Sequence, residues 1–513
     1  MSRIRTLSAS AIIFCFGVFS FLHMPFTAAR AALPAALSPA HFDWVCVTDG
    51  ALVETLGPLA DHRRAQGLSS LVVDLDQVML WSPAGNDTIA SLHWLAGVAA
   101  HQWGARYLLL GGSHALLPAP LFRLAGPPLT YDNPTDAYYR CLGGDWDAND
   151  DGFVAEWGQD APDPHLDLVV GRLPVDDAAA VANLVAKIIA YEQRPSAFSA
   201  LFVASHMSIM SPPSPCPSGA IYTVTRLRDH AVAAEPSLEV ASLFEDCVPG
   251  DPFHDALNPT SLVETLAAEP HDLVHFQLQG VDEAWQLAGL VTVTGDDFAP
   301  LAGIGHGFLA SMVSGPVADT RHGGVLASLL GLPGGGAVGA VAPSCMGYIF
   351  PHTTFAEALW SRLLAADCQR LGDAFDGALV VVQPDVARSR LFATTYWGMC
   401  LLGDPAMLLR PTSETAAVPP SGPIGVAHLR VAPNPFNPSA TILFEVEAPA
   451  GNRQPARVEI FDLQGRRLAT LLDESLPPGP REVNWDADAV SGVYLVRVTV
   501  GSAVATAKLT LLE

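Results

Sequence analysis

From Phe42 onward, short runs of apolar and β-branched residues alternate with longer amphipathic segments. Trp44 to Thr48, Leu71 to Val73 and Tyr107 to Leu110 read as strands, and the stretches between them, Leu52 to Gln66 and Ser91 to Trp103, read as helices. That order predicts a mostly parallel sheet covered by helices on both faces. Gly111-Gly112-Ser113 closes the third strand at its carboxyl end, where open α/β sheets place their sites. The strand Leu168 to Val170, the turn Gly171-Arg172-Leu173-Pro174 and a helix from Asp177 to Gln193 complete a first α/β unit over residues 42–195.

A second α/β unit, residues 196–411, opens on Leu201-Phe202-Val203-Ala204 and continues through a helix at Ser218 to Ala233. Its further strands are Leu273 to Gln277, Phe308 to Met312 and Ala337 to Ala342, with helices around Phe355 to Ala365 and Gly372 to Val382. Residues 412–427 are rich in Pro, Ser, Thr and Ala and read as an extended linker. Beyond it, over 428–513, six short alternating runs separated by turns predict an antiparallel β-sandwich of immunoglobulin-like size. The expected fold class is therefore two mostly parallel α/β subdomains followed by an all-β unit.

Composition narrows the partners. The chain of 513 residues carries 52 acidic against 27 basic side chains, a formal charge of −25, which disfavours nucleic acid and anionic membranes by repulsion. Arg3 and Arg5 precede an apolar run from Ala11 to Leu22, and Ala29-Arg30-Ala31 suits a signal peptidase, so residues 1–31 are expected to be a signal peptide. No later segment offers about 18 consecutive apolar residues, so no transmembrane helix is expected in the mature chain. Of 8 cysteines, Cys15 falls in the leader and an odd number remains; Cys216 and Cys247 sit in loop-like sequence and could be bridged, whereas Cys46 and Cys400 lie in apolar runs that suit buried thiols.

The C-terminal motifs are Ala432-Pro433-Asn434-Pro435-Phe436-Asn437-Pro438, Phe461-Asp462-Leu463-Gln464-Gly465-Arg466, Asn484-Trp485-Asp486 and Ser491-Gly492-Val493-Tyr494. In this order they resemble the sorting domain of type IX secretion and the related flagellar hook-cap immunoglobulin-like domain. The resemblance implies recognition by the type IX secretion machinery and a secreted or cell-surface location reached through the periplasm. Further upstream, Ala60-Asp61-His62-Arg63, Tyr107 to Gly112, Thr135-Asp136-Ala137-Tyr138-Tyr139, Gly171-Arg172-Leu173-Pro174, Lys187 to Glu192, Gly334 to Val338 and Leu402-Gly403-Asp404-Pro405 together resemble the gingipain-type cysteine peptidases. That resemblance implies a pair of α/β subdomains, the second caspase-like.

In such peptidases one strand ends in Gly-His-Gly followed by Trp, and the next delivers the nucleophilic Cys. Here Leu273 to Gly280 leads to Trp285 with Gln279 at the His position, and Phe308 to Gly315 places Met312 at the Cys position. A carboxamide takes up no proton near neutral pH and a thioether has none to lose. The resemblance thus implies a degraded dyad and a binding or surface-display role toward a protein or peptide ligand. An alternative is an active cysteine endopeptidase with Cys345 of Ser344-Cys345-Met346-Gly347 as nucleophile and His306 of Gly305-His306-Gly307 as base. The order of elements speaks against it, because the Gly334 to Val338 turn would then precede the nucleophile strand. His275, inside a strand, reads as a hydrogen-bonded core histidine.

One further segment carries chemistry. Asp145, Asp147, Asn149 and Asp151 place oxygens at alternate positions and Glu156 follows Gly152, a pattern that suits structural Ca2+ because a hard cation wants six to eight oxygens around a tight turn. Taking Asp145 as first ligand sets the Gly two places late for an EF-hand; taking Asp147 puts Gly158 where the bidentate acid belongs. Gly111-Gly112-Ser113 and Gly334-Gly335-Gly336 lack the Lys and spacing of a phosphate cradle, so tight turns explain them.

Overall fold

The computed structural model describes residues 40–511 apart from 125–130, 195–197, 206–218, 246–253, 282–283, 288–290, 314, 322–323, 410–424, 433–435, 448–452, 462–466, 478, 488–490 and 501–502. Residues 1–31, expected to be a signal peptide, most of the expected linker, Cys216, Cys247 and the segment Asp462 to Arg466 lie outside the described residues. The chain divides into two compact units between Pro411 and Thr412.

The first unit is built on one eleven-stranded sheet. Its strands in chain order are β1 Trp44–Thr48, β2 Ser70–Asp74, β3 Tyr107–Gly111, β4 Val169–Arg172, β5 Ser199–Ala204, β6 Glu239–Phe244, β7 His254–Ala256, β8 Leu273–Gln277, β9 Phe308–Met312, β10 Ala337–Pro343 and β11 Met399–Leu402. In space they run β7-β6-β5-β8-β9-β10-β11-β4-β3-β1-β2. Every residue of β1, β3, β8, β9 and β10 is buried, as their largely apolar runs require when helices cover both faces. The β10–β11 pair is antiparallel while β11 runs parallel to β4, so the two α/β halves lie edge to edge with opposite strand directions.

The helices are α1 Val53–Ala65, α2 Leu75–Trp81, α3 Thr88–His101, α4 Ala137–Arg140, α5 Ala178–Gln193, α6 Gly219–Ala234, α7 Pro259–Ala268, α8 Val325–Gly331, α9 Ile349–Leu364, α10 Leu371–Val382 and α11 Arg390–Gly398. Their starts are set by side chains that satisfy the free N–H groups of the first turn. Asp87 accepts from Ala90 N at α3 (3.0 Å) and Asp177 from Ala180 N at α5 (2.9 Å), and Asn258 and Ser261 form a reciprocal pair at α7.

Two buried ionic networks tie these elements together. Arg63 on α1 donates through Nε to Asp404 Oδ2 (2.7 Å) and pairs with Glu192 on α5 (2.9 Å), while Trp44 Nε1 donates to Asp404 Oδ1 (3.0 Å). Glu192 also accepts from Leu408 N (2.8 Å). Arg172 makes a fork to Asp136 (2.9 and 2.7 Å) and donates to the carbonyls of Gly112 (3.0 Å) and Leu117 (2.8 Å). The Lys187 ammonium donates to the carbonyls of Leu330 (2.7 Å), Gly335 (2.9 Å) and Ala337 (2.9 Å), pinning the glycine turn before β10 onto α5.

The second unit is all β. A three-stranded antiparallel sheet contains β12 Gly425–Ala432, β13 Ser439–Glu447 and β16 Gly479–Asp486; a four-stranded one contains β14 Gln454–Phe461, β15 Arg467–Leu476, β17 Gly492–Val500 and β18 Ala503–Leu511. Their inner residues share one core, in which Trp485 meets Phe436 and Tyr494, each at 5.4 Å between ring centroids. Among the described residues, no helix is long and apolar enough to cross a membrane.

Candidate functional site

The residues singled out at Gln279 and Met312 lie at the carboxyl ends of neighbouring parallel strands. β8 pairs with β9 so that Phe276 stands opposite Met312, and Val313 N donates to Phe276 O (2.9 Å). Past the strand ends the two chains stay close: a Cβ on Gly315 would lie 2.6 Å from Gly280 O, so only glycine fits that approach. Gln279 is half-buried and opens a small antiparallel hairpin in which Gly280 pairs with Trp285. Trp285 is fully buried, stacked on Phe276 (4.8 Å) and edge-on to Phe298 (5.8 Å).

Met312 is 3 % exposed and belongs to the continuous core of the first unit. Its thioether offers neither a thiolate nor an ionisable proton, and the Gln279 amide offers no basic nitrogen. Both positions therefore lie at the carboxyl ends of neighbouring strands, and neither side chain there is a base or a nucleophile.

Strand alternation turns Ser311 to the face opposite Met312. There His275 Nδ1 lies 2.9 Å from Ser311 Oγ, which also accepts from Trp360 Nε1 (3.0 Å). Burial lowers the His275 imidazole to about 3, so it is neutral at physiological pH. The histidine is a core hydrogen-bonding group, as its place inside a strand indicates.

The alternative pair, His306 and Cys345, is not assembled. His306 precedes the amino end of β9 and donates through Nε2 to Leu266 O (3.2 Å), whereas Cys345 follows the carboxyl end of β10. These strands are parallel, with Phe308 opposite Ala337 and Ser311 opposite Val341, so the two residues sit at opposite edges of the sheet. At about 3.3 Å per residue, the 7 residues of β10 alone hold them on the order of 20 Å apart. Cys345 is fully buried, its Sγ facing Thr394 O (3.8 Å), and burial pushes its thiol far up, which leaves no thiolate. Cys46, Cys141, Cys368 and Cys400 are likewise free and buried.

In the acidic segment, Asp147 accepts from Asp151 N (3.0 Å) and Gly152 N (3.0 Å), Asn149 Oδ1 accepts from Asp151 N (3.3 Å), and Asp151 accepts from Phe153 N (3.0 Å). Glu156 folds back on this turn and accepts from Asn149 Nδ2 (3.4 Å). Asp160, which the spacing does not single out, joins it by accepting from Ala148 N (2.9 Å) and Glu156 N (2.7 Å). Asp145 stands outside the turn, in a two-residue ladder with Ala161-Pro162. Burial, followed by the charge of Asp151, raises the Glu156 carboxyl above its ordinary range. Among the described residues, no three His, Cys, Asp or Glu side chains surround a common metal position. The oxygens are of the hard type calcium prefers, but the turn is closed by its own backbone hydrogen bonds.

With this geometry in place, comparison with known proteins defines the class. The profile described as Peptidase family C25 matches residues 38–256. The Arg-specific cysteine proteinase gingipain R (RgpB) superposes with a TM-score of 0.55 at 13 % identity, over 92 % of this chain and 98 % of that one. The complex of Porphyromonas gingivalis RgpB pro- and mature domains gives 0.53 at 12 % identity over 91 % and 100 % of the chains, and a further structure titled only as a protease gives 0.53 at 14 % over 92 % and 97 %. No curated protein matches the chain. The chain has the gingipain-type peptidase fold.

Proposed function

We propose that this chain is an exported protein of gingipain-type fold that binds a protein or peptide ligand, or is displayed at the surface, without hydrolysing peptide bonds. The observation that carries this reading is the register of β8 and β9, which sets Phe276 opposite Met312 with Gln279 three residues further along the chain, so that neither strand end offers an imidazole or a thiol at these positions. Without an imidazole to take its proton, and without a sulfhydryl to attack, such a pair loses the chemistry of a cysteine peptidase by orders of magnitude in rate. Exposed apolar residues at the starts of α9 and α11, Phe350 at 70 % and Leu391 at 39 % exposure, offer contact surface of the kind ligand binding uses.

The test is labelling of the purified full chain with a peptidyl thiol-directed inhibitor, followed by peptide mapping. The wild-type chain is expected to remain unlabelled and to leave a denatured protein substrate intact, and the double variant Gln279→His, Met312→Cys is expected to gain labelling at position 312. Selective labelling of Cys345 in the wild type, lost in His306→Ala, would overturn the reading.

Two further parts of the reading rest on the motifs. The C-terminal unit acts as the sorting signal for type IX export, and a Ca2+ ion held by Asp147, Asn149, Asp151 and Glu156 stabilises the turn. The hard oxygens of Asp147, Asn149 and Asp151 gathered in one turn support the second, because they are the donors a divalent cation of this kind takes.

A further inference from the structure

The edge of the second half-sheet opposite Gln279 and Met312 holds a cavity of about 860 Å3. It opens where β5, β6 and β9 begin, and α5 forms one wall with Ala186 and Ala190. Its size falls in the range of small-molecule sites, and most of its lining is apolar. None of the chemistry considered above uses it.

Among its polar groups, several acceptors face the cavity without a donor. His271 lines the cavity, is 7 % exposed, and its Nε2 has no hydrogen-bond partner. The ring is hydrogen-bonded to the Thr265 backbone, which leaves Nε2 as the bare acceptor when burial keeps the ring neutral. His306 donates its Nε2 proton to Leu266 O (3.2 Å), which leaves Nδ1 as a second acceptor. Glu239 and Glu269 also line the cavity, are exposed, and carry no ion pair among the described residues.

The cations present are committed elsewhere. Lys187 directs its protons to the backbone carbonyls that hold the glycine turn. Arg194 pairs with Asp272, donates to Gly307 O (3.0 Å) and lies over the Tyr191 ring at 3.5 Å. What remains, beside the Asn183 amide, is an apolar chamber offering two imidazole rings and two carboxylates. A ligand that satisfies it must donate hydrogen bonds and carry positive charge, since a buried acceptor without a donor is costly and the carboxylates favour a cation.

The geometry points to a binding site for a small organic amine, with its ammonium donating to His271 Nε2 toward Glu269 and its apolar body against Ala186, Ala190 and Val240. A hydroxyl would meet one acceptor only, and a carboxylate would face repulsion. The site is separate from Gln279 and Met312, and although His306 of the alternative pair lines it, the test reads amine binding and not peptide hydrolysis.

The probe is tryptamine, titrated calorimetrically into the full chain, with indole-3-ethanol and indole-3-acetate as the neutral and anionic counterparts of the same ring. Saturable binding of tryptamine is expected, at least ten-fold weaker for the alcohol and absent for the acid. His271→Leu is expected to weaken tryptamine ten-fold or more, and Glu269→Gln by a smaller factor. In the wild type, the His271 ring proton resonances are expected to shift along the same saturation curve, a readout that needs no variant to fold. Absence of saturable tryptamine binding to the folded chain, equal affinity for the acid, or ring resonances that stay fixed during saturation would each overturn the site.

Discussion

Among single residues, the most consequential charge in the fold is that of Glu192. Burial raises its carboxyl, but the hydrogen bond from His62 and the charge of Arg63 outweigh burial and hold it at about 2, against an ordinary 4.5. Its folded value lies below the unfolded one, so its contribution to stability is complete above about pH 4.5 and is lost as pH falls through about 2. Glu192→Ala leaves the Arg63 guanidinium with one buried partner fewer, and is expected to cost about 3–5 kcal/mol at pH 7 in urea unfolding, with the gap to wild type closing below pH 3. A loss under about 1 kcal/mol would show that Asp404 alone suffices for Arg63. The candidate site divides at this scale too. Gln279 and Met312 stand out in the sequence because short motifs single them out, whereas His271 has no local signal: its free nitrogen exists only because α7 supplies a carbonyl to one side of the ring and nothing to the other.

At the scale of elements, the apolar strands with unbroken runs are the ones the sequence announces. β6 and β7 escape such a reading because Glu239 to Phe244 is only partly apolar and His254-Asp255-Ala256 is too short to show a period. β12 lies where linker composition predominates. The motifs that carry the resemblance turn out to be framework chemistry: Arg63, Glu192 and Asp404 meet in one network, and Asp136 meets Arg172 in another. A Cβ on Gly171, inside β4, would drive into the Gly403 carbonyl, and Gly403, just past β11, has a φ of 135° and approaches Gly339 Cα, so each position favours glycine. The acidic turn offers a prediction of its own. If Ca2+ stabilises it, EDTA lowers the melting temperature of the full chain by several degrees, Ca2+ but not Na+ restores it, and Asp151→Asn abolishes the difference. A melting curve indifferent to EDTA leaves the turn to its own hydrogen bonds.

For the whole molecule, the two α/β halves form one sheet whose strand direction reverses at β10–β11, and an all-β unit follows. Export through the C-terminal unit predicts that deleting residues 428–513 leaves the protein in the periplasm of a type IX-competent host, measured by fractionation; undiminished surface display of the truncated chain would remove the sorting role. By itself the sequence determined the alternation of strands and helices and the fold class, since each depends on periodicity or on residues a few places apart. Only the tertiary structure decided that the halves share a sheet, that His306 and Cys345 lie at opposite edges, and that a chamber of acceptors lines the far edge. Those facts depend on which strands pair and in which direction, and pairing is settled by burial among residues hundreds of positions apart, a property no local pattern encodes.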